Sequence, residues 1–238
     1  MARPAEPPPQ DLCVIPARGG SKRIPRKNVR PFGGRPMIAW SIDAARRSGC
    51  FARIVVSTDD EEIAAVARAH GAETPFMRPA ALADDHAGTM AVMAHAVAAL
   101  EAEGERPGRV CCLYATAPLV RPGDLARGRD AMAGDIDYAL AVAAFPSPIE
   151  RALRVSPEGR ATMIDPARYA TRSQDLEPAY HDAGQFYWGR AAAWREGRPF
   201  YGRAPAAIVL PAERVQDIDT PEDWRRAEAL VRLLDGER

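Results

Sequence analysis

Short apolar runs alternate with segments of helical spacing along the chain, and this alternation constrains the fold more than any other feature. The runs have the length and continuous apolar character of strands buried on both faces, at residues 12–15, 53–57, 110–114, 138–145, 186–188 and 207–210. Between them lie predicted helices at residues 37–48, 59–71, 89–103, 122–133 and 221–234. The pattern predicts an α/β fold whose mostly parallel sheet carries helices on both faces, making three layers.

Two segments depart from this alternation. Residues 1–10 contain four prolines and no apolar core, which predicts a disordered tail. Residues 146–183 are rich in proline and show little periodicity, so we interpret them as a small excursion that serves substrate contact, oligomerisation or both. The remaining length suits a single domain over residues 11–235.

Charge and cysteine content exclude several classes of protein. The 32 basic and 32 acidic residues give no net charge, whereas a general nucleic-acid binder carries a basic surplus. No stretch approaches the roughly 18 consecutive apolar residues of a membrane helix. The four cysteines lack C-x-x-C spacing, which favours reduced thiols in a cytoplasmic protein over zinc ligands or disulfides: Cys13, Cys50, Cys111 and Cys112.

A basic, glycine-containing loop follows the first predicted strand. Six of the thirteen residues from 18 to 30 are Arg or Lys, and Gly19 and Gly20 stand where the strand ends. Adjacent glycines let backbone N–H groups approach an anion, and Lys and Arg suit phosphate oxygens. The loop matches neither G-x-x-x-x-G-K-[ST] nor G-x-G-x-x-G. A solvated basic loop or a nucleic-acid patch is the alternative, but phosphate sites occur at this position of α/β sheets.

Two carboxylates stand two residues apart near the end of the chain. In an extended stretch Asp217 and Asp219 share one face, about 7 Å apart, which suits Mg²⁺ and its preference for oxygen ligands. The alternative is structural, because Thr220 and Pro221 form a plausible helix start and Asp219 would merely precede it.

The run IPARGGSKRIPRKN at residues 15–28 resembles the opening motif of the CMP-sialic acid synthetase family, and the likeness extends over residues 12–234. It implies a nucleotide-diphospho-sugar transferase (Rossmann-like) fold. It also implies a reaction that joins CTP to a nine-carbon sugar acid and releases pyrophosphate. The implied nucleotide-binding residues are Arg18, Gly19, Ser21, Lys22, Lys27, Asn28, Arg78 and Thr89.

Arg78, Thr89 and the two aspartates are assigned on separate grounds. Arg78 opens an R-P-x-x-L-x-D-D stretch that resembles the family, although a surface arginine beside a turn proline is the alternative. Thr89 either contacts the nucleotide or only caps its helix. A matching D-x-D-T stretch implies that Asp217 and Asp219 bind Mg²⁺ and, with Lys27, form the catalytic group.

The resemblance also implies a sugar-acid site. An R-x-Q stretch assigns Arg172 and Gln174, with Arg172 on the substrate carboxylate, and the following run assigns His181, Asp182, Gln185 and Tyr187 to the pocket. His181 could instead be an ordinary hydrogen-bonded histidine. Family members are commonly homodimers joined through an excursion like residues 146–183, so we expect a homodimer.

The choice of sugar acid depends on fewer residues. The runs LYATAP (113–118) and AYHDAGQFYW (179–188) resemble the branch that acts on pseudaminic acid. Sialic or legionaminic acid is the nearest alternative substrate. A non-catalytic nucleotide-binding module is the alternative from another class, and the Asp217/Asp219 pair disfavours it.

Overall fold

A computed structural model of the chain describes residues 10–84 and 87–235. Residues 1–9 of the predicted tail and Asp85 of the arginine-proline motif lie outside them. Gln10 belongs to the first strand and not to a tail. The elements in chain order are β1 (Gln10–Pro16), β2 (Pro31–Phe32), β3 (Arg35–Pro36), α1 (Met37–Ser48), β4 (Arg53–Ser57), α2 (Glu61–Ala69), α3 (Thr89–Ala102), β5 (Pro107–Leu113), α4 (Pro122–Asp130), β6 (Tyr138–Ala144), β7 (Leu153–Val155), β8 (Ala161–Met163), β9 (Tyr180–Arg190), α5 (Ala191–Arg195), β10 (Ala206–Val209) and α6 (Pro221–Asp235).

Six strands form the central sheet in the order β10-β6-β9-β5-β1-β4. β1 pairs in parallel with β4 and β5, and β10 pairs in parallel with β6. β9 runs antiparallel between β5 and β6. The prediction of a mostly parallel sheet is therefore confirmed, with one reversed strand near its centre.

β9 begins earlier than the predicted strand at residues 186–188. Its eleven residues start at Tyr180, so residues 180–183 belong to the main sheet and not to the excursion. The register with β6 shifts between Leu140 and Val142, and Gly184 has a φ of 61°. The first half of β9, where this irregularity lies, contains polar residues. The sequence therefore showed only the apolar run that follows them as a strand.

Helices cover both faces of the sheet. Along β1, Cys13 and Ile15 face one apolar cluster with residues of α1, α2 and α4, while Leu12 and Val14 face another with residues of α3 and α5. Because alternate residues of a strand point to opposite faces, a continuously apolar strand is buried on both. The three-layer arrangement follows from this pattern.

A third apolar cluster joins the two ends of the chain. The ring of Phe32 packs edge-on against Trp40 and Trp224 of α6, with centroids 6.0 and 5.2 Å away. The same cluster buries Ile24 from the basic loop and Ile218 from the stretch between the two aspartates. Packing of α6 therefore brings the basic loop beside Asp217 and Asp219.

Residues 146–179 project from the main sheet and contain the antiparallel hairpin of β7 and β8. We call this segment the arm. It carries exposed apolar side chains, among them Leu153 (55% exposed), Val155 (68%) and Tyr169 (76%). Within the described residues, no helix combines the length and the apolar character needed to cross a membrane.

Candidate active site

Two neighbouring cavities open where the parallel strands β1 and β5 end. The nucleotide-side cavity, of about 490 Å³, lies between the basic loop after β1, the start of α3 and the end of β5. The sugar-side cavity, of about 510 Å³, lies between the start of β9 and residues 215–217. Tyr114, directly after β5, lines both of them. This is the edge at which α/β sheets bind ligands.

Most of the predicted nucleotide-binding residues meet in the nucleotide-side cavity. They come from the basic loop, from the segment between α2 and α3 and from the first turn of α3, and they are Arg18, Ser21, Lys22, Lys27, Asn28, Arg78 and Thr89. Asn28 is buried, and its side-chain amide donates to the Arg18 carbonyl at 3.0 Å, which fixes the entrance of the loop.

Gly19 contacts the start of α2 instead. Its N–H donates to Asp59 Oδ1 at 3.2 Å, and a Cβ at this position would lie 2.5 Å from Asp60 Oδ2. The glycine therefore permits close packing of the loop on α2. Its assignment to the nucleotide stays a prediction.

Arg26 holds the basic loop against the same helix end. It has a φ of 56°, unusual for a residue with a side chain. Its guanidinium donates to Asp60 Oδ2 at 2.6 Å and also contacts Glu62. Asp60 in turn caps α2 by accepting from the Ile63 N–H at 3.0 Å. The sequence predicted a helix from residue 59, but the pairing that anchors the loop was missed.

Arg78 is buried, which rules out the surface alternative. Its guanidinium donates to the Ala17 carbonyl at 2.9 Å and lies 3.4 Å from Asp59 Oδ1. Burial lowers the pKa of Arg78, and the nearby charge of Arg18 acts in the same direction. Two guanidinium groups at one cavity favour an anionic ligand.

Thr89 is the first residue of α3 and not its cap, because Gly88 occupies the cap position. The Thr89 hydroxyl lies 2.9 Å from the Tyr114 hydroxyl. This geometry rules out simple capping and places the threonine side chain at the cavity wall.

Asp219 faces basic side chains. Arg23 lies 2.9 Å and Lys27 Nζ lies 3.4 Å from Asp219 Oδ1, and Lys27 also donates to the Ile218 carbonyl at 2.7 Å. The predicted helix start is present too, since α6 begins at Pro221. The backbone of Asp219 therefore precedes the helix, as the structural alternative expected, while its side chain faces Arg23 and Lys27. Its assignment to Mg²⁺ stays a prediction.

Asp217 lines the sugar-side cavity. Burial raises its pKa above the ordinary value, and the charge of Asp219 raises it further. A partly buried carboxylate beside a second one fits a divalent cation, which would replace Arg23 or Lys27 as the partner of Asp219. No group of three or more metal-binding side chains occurs in residues 10–84 and 87–235, so an ion here would take its remaining ligands from water and phosphate.

Three predicted sugar-site residues meet in the sugar-side cavity: His181, Asp182 and Tyr187. The Tyr187 hydroxyl donates to Asp182 Oδ2 at 2.8 Å, and Asp182 Oδ1 accepts from the Gly184 N–H at 2.8 Å. The His181 ring nitrogen Nδ1 lies 2.8 Å from the Asp182 carbonyl, so the histidine is hydrogen-bonded as well as at the cavity.

The other three do not line this cavity. Gln185 is buried, and its amide donates to the Arg214 carbonyl at 2.5 Å. Arg172 and Gln174 lie in an exposed turn of the arm, where Arg172 pairs with Asp175 at 2.8 Å. Their predicted contacts with the sugar acid stay predictions.

Tyr114 is the main site residue that the sequence analysis did not assign. Its backbone is hydrogen-bonded, its hydroxyl lies 2.9 Å from that of Thr89, and it lines both cavities. In the sequence it was the last residue of a predicted buried strand and part of the LYATAP run, and neither pattern assigned it a role.

Comparison with known proteins identifies relatives over most of the chain. The cytidylyltransferase family model matches residues 12–188. A pseudaminic acid cytidylyltransferase of Campylobacter jejuni is 43% identical, covering 94% of this chain and 97% of its own. The CMP-N,N'-diacetyllegionaminic acid synthase of Legionella pneumophila is 31% identical, covering 93% and 96%.

Solved structures match the fold. The structure of CMP:2-keto-3-deoxy-manno-octonic acid synthetase complexed with CTP gives a TM-score of 0.69 at 19% identity, covering 94% of this chain and 99% of that one. The 4-diphosphocytidyl-2C-methyl-D-erythritol synthase of Anaerococcus prevotii gives 0.63 at 12% identity, covering 94% and 99%. The predicted nucleotide-diphospho-sugar transferase fold is thereby confirmed.

Proposed function

Because the chain belongs to the cytidylyltransferase family, we propose that it joins pseudaminic acid, a nine-carbon sugar acid, to CTP and releases pyrophosphate. The observation that carries this proposal is the pair of cavities that meet at Tyr114. One is lined by cationic side chains suited to a triphosphate, and the other by the hydroxyl, carboxylate and imidazole groups that bind a polyol. The 43% identity to the Campylobacter jejuni enzyme supports the choice of sugar.

In the proposed reaction, the anomeric hydroxyl oxygen of the sugar acid attacks the α-phosphorus of CTP. A new P–O bond forms as the bond to the bridging oxygen of pyrophosphate breaks, and the hydroxyl proton is released. Arg18, Lys22 and Lys27 line the cavity in which the triphosphate charge would be neutralised. Acceleration by positioning and charge neutralisation is the usual mode of phosphoryl-type transfer.

Magnesium is the cofactor that we propose for this site. Asp217 and Asp219 would hold it, because Asp217 lines the sugar-side cavity and Asp219 lies beside Lys27 of the nucleotide-side cavity. When bound, it would neutralise charge on the phosphates and favour ionisation of the attacking hydroxyl.

The decisive experiment incubates the protein with CTP, Mg²⁺ and each of three acids, namely pseudaminic, N,N'-diacetyllegionaminic and N-acetylneuraminic acid. Pyrophosphate release is measured, and we expect the highest kcat/KM with pseudaminic acid. A higher value with another acid would correct the substrate. Binding of CTP without pyrophosphate release from any of the three would refute the proposed enzyme.

We also propose that the enzyme is a homodimer joined through the arm. Leu153 and Val155 project from it, more than half exposed, and monomers seldom expose such clusters. Light scattering after size exclusion should report twice the chain mass, and Val155→Glu should give the chain mass. Leu233→Glu, at a 65% exposed site on α6, is the matched control. A monomeric wild type would refute the dimer.

The cellular location that we propose is the cytoplasm. All four cysteines are free and buried, which suits a reducing compartment. Their accessibility to a thiol reagent should appear only on unfolding.

A further inference from the structure

Tyr114 occupies a fixed place between the two cavities. It follows β5, which lies between β1 and β9 in the sheet, so the basic loop stands on one side of it and the start of β9 on the other. Its N–H donates to the Gln185 carbonyl at 2.9 Å, and its carbonyl accepts from the hydroxyl of fully buried Ser41 at 2.8 Å. The backbone of Tyr114 is therefore held from both sides.

The side chain of Tyr114 is held as firmly as its backbone. Its hydroxyl lies 2.9 Å from that of Thr89 at the nucleotide side. Its ring is tilted against that of Tyr187 with the centroids 5.4 Å apart, and the Tyr187 hydroxyl is bonded to Asp182. Burial raises the pKa of Tyr114, so the phenol stays protonated at neutral pH. A connected set of side chains thus runs from one cavity to the other.

We propose that Tyr114 is a positioning residue for both substrates. Its side chain lies between the two cavities and sets the approach of the sugar-acid hydroxyl to the α-phosphorus of CTP. The inference rests on the proposed function, because it takes the two cavities as the two substrate sites. It predicts that both substrates respond to a change at Tyr114, whereas only the sugar acid responds to a change at Tyr187.

Four variants test this role of Tyr114. Tyr114→Phe removes the hydroxyl and keeps the ring, Tyr114→Leu removes the ring, and Tyr187→Phe removes the hydroxyl that donates to Asp182 at the sugar side. Tyr138→Phe is the matched control, because this buried tyrosine donates to the Arg198 carbonyl at 3.0 Å and lines neither cavity. The dissociation constant of CTP is measured by calorimetry, and kcat and both KM values are measured from pyrophosphate release.

For Tyr114→Phe we expect the CTP dissociation constant to rise about two- to tenfold, the effect of one lost hydrogen bond. For Tyr114→Leu we expect both KM values to rise and kcat to fall by about 100-fold, the cost of a misplacement of about 1 Å. Tyr187→Phe should raise the KM of the sugar acid and leave the CTP dissociation constant within a factor of two.

Two results would overturn the inference. One is a folded Tyr114→Leu variant in which only one KM changes. The other is a Tyr114→Phe variant that binds CTP as tightly as Tyr138→Phe does, and this result decides the matter even if Tyr114→Leu fails to fold. Failure of the proposed function is distinct, because the wild type itself would then release no pyrophosphate.

Discussion

A buried ion pair holds the segment that leads to the two aspartates. Arg214 contacts both carboxylate oxygens of Asp124 on α4, one of them at 3.2 Å, and both side chains are less than 10% exposed. Asp124 also accepts from the Arg121 N–H at 3.2 Å, closing the first turn of α4. The Arg214 carbonyl accepts from Gln185, so the pair joins α4, β9 and the stretch before Asp217.

Arg214→Met should lower the free energy of unfolding by about 3 kcal/mol. Removing one partner of a buried pair costs about 3–5 kcal/mol because the remaining charge is uncompensated. The lower end applies here, since Arg127 stays 3.5 Å from Asp124 Oδ1 and is itself 54% exposed. Adding Asp124→Leu to Arg214→Met should recover part of the loss, because no charge is then buried, although the cap of α4 is lost at a cost of about 1 kcal/mol.

Urea unfolding followed by circular dichroism measures these differences, provided that the slope with urea is unchanged. Arg195→Met is the control, since Arg195 forms a 2.7 Å pair with Glu101 at an exposed site. Such a pair contributes less than about 1 kcal/mol. If Arg214→Met costs no more than Arg195→Met, or if the double variant is less stable than Arg214→Met, the reasoning is wrong.

Three further predictions concern the site and its supporting loop. Asp217→Asn should lower kcat by about 100-fold or more while changing CTP affinity less, as calorimetry and pyrophosphate release would measure; wild-type turnover would remove its catalytic role. Asp60→Asn keeps a capping side chain but loses a charged bond to Arg26, at about 1 kcal/mol. Because that bond lowers the pKa of Asp60 below 3.8, the deficit should be present above this pH and vanish as the pH falls through the lowered pKa, which denaturation at several pH values would test. Gly19→Ala should cost about 1–3 kcal/mol by crowding Asp60, whereas Gly20→Ala, with no atom within 4 Å of its Cβ, should cost little in the same urea assay.

The sequence predicted those features that local pattern encodes. The apolar runs gave the strands, and Thr220 and Pro221 gave the start of α6. The basic loop was expected at a site because it follows the first strand, and Asp217 because it stands two residues from Asp219 in a matching D-x-D-T stretch. That the loop and the aspartates lie side by side depends on packing of Trp224 against Phe32, a contact between residues almost 200 positions apart.

Other features depend on contacts that no local pattern encodes. The reversed direction of β9 follows from its pairing with β5 and β6, and the sequence of a strand does not specify its partners. Gln185 and Tyr187 are two residues apart, which in a regular strand would put them on one face. Tyr187 lines the sugar-side cavity, whereas Gln185 contacts the Arg214 carbonyl. Arg172 was assigned by motif alone, and the arm that carries it departs from the sheet.

The basic loop also shows how a chain without net charge can hold a triphosphate. Its arginines differ in their carboxylate partners. The Arg26 guanidinium is bound to Asp60 and Glu62 at the start of α2. Arg23 pairs only with Asp219 among the described ion pairs, and 67% of its side chain is exposed. Exposed pairs contribute little free energy, so a phosphate can replace Asp219 as the partner of Arg23 at small cost. Arg26, with two carboxylate partners, would lose more by such an exchange. We therefore expect Arg26 to keep the loop in place while Arg23 turns to the nucleotide, so that Arg23→Ala weakens CTP binding with little effect on stability and Arg26→Ala reduces both.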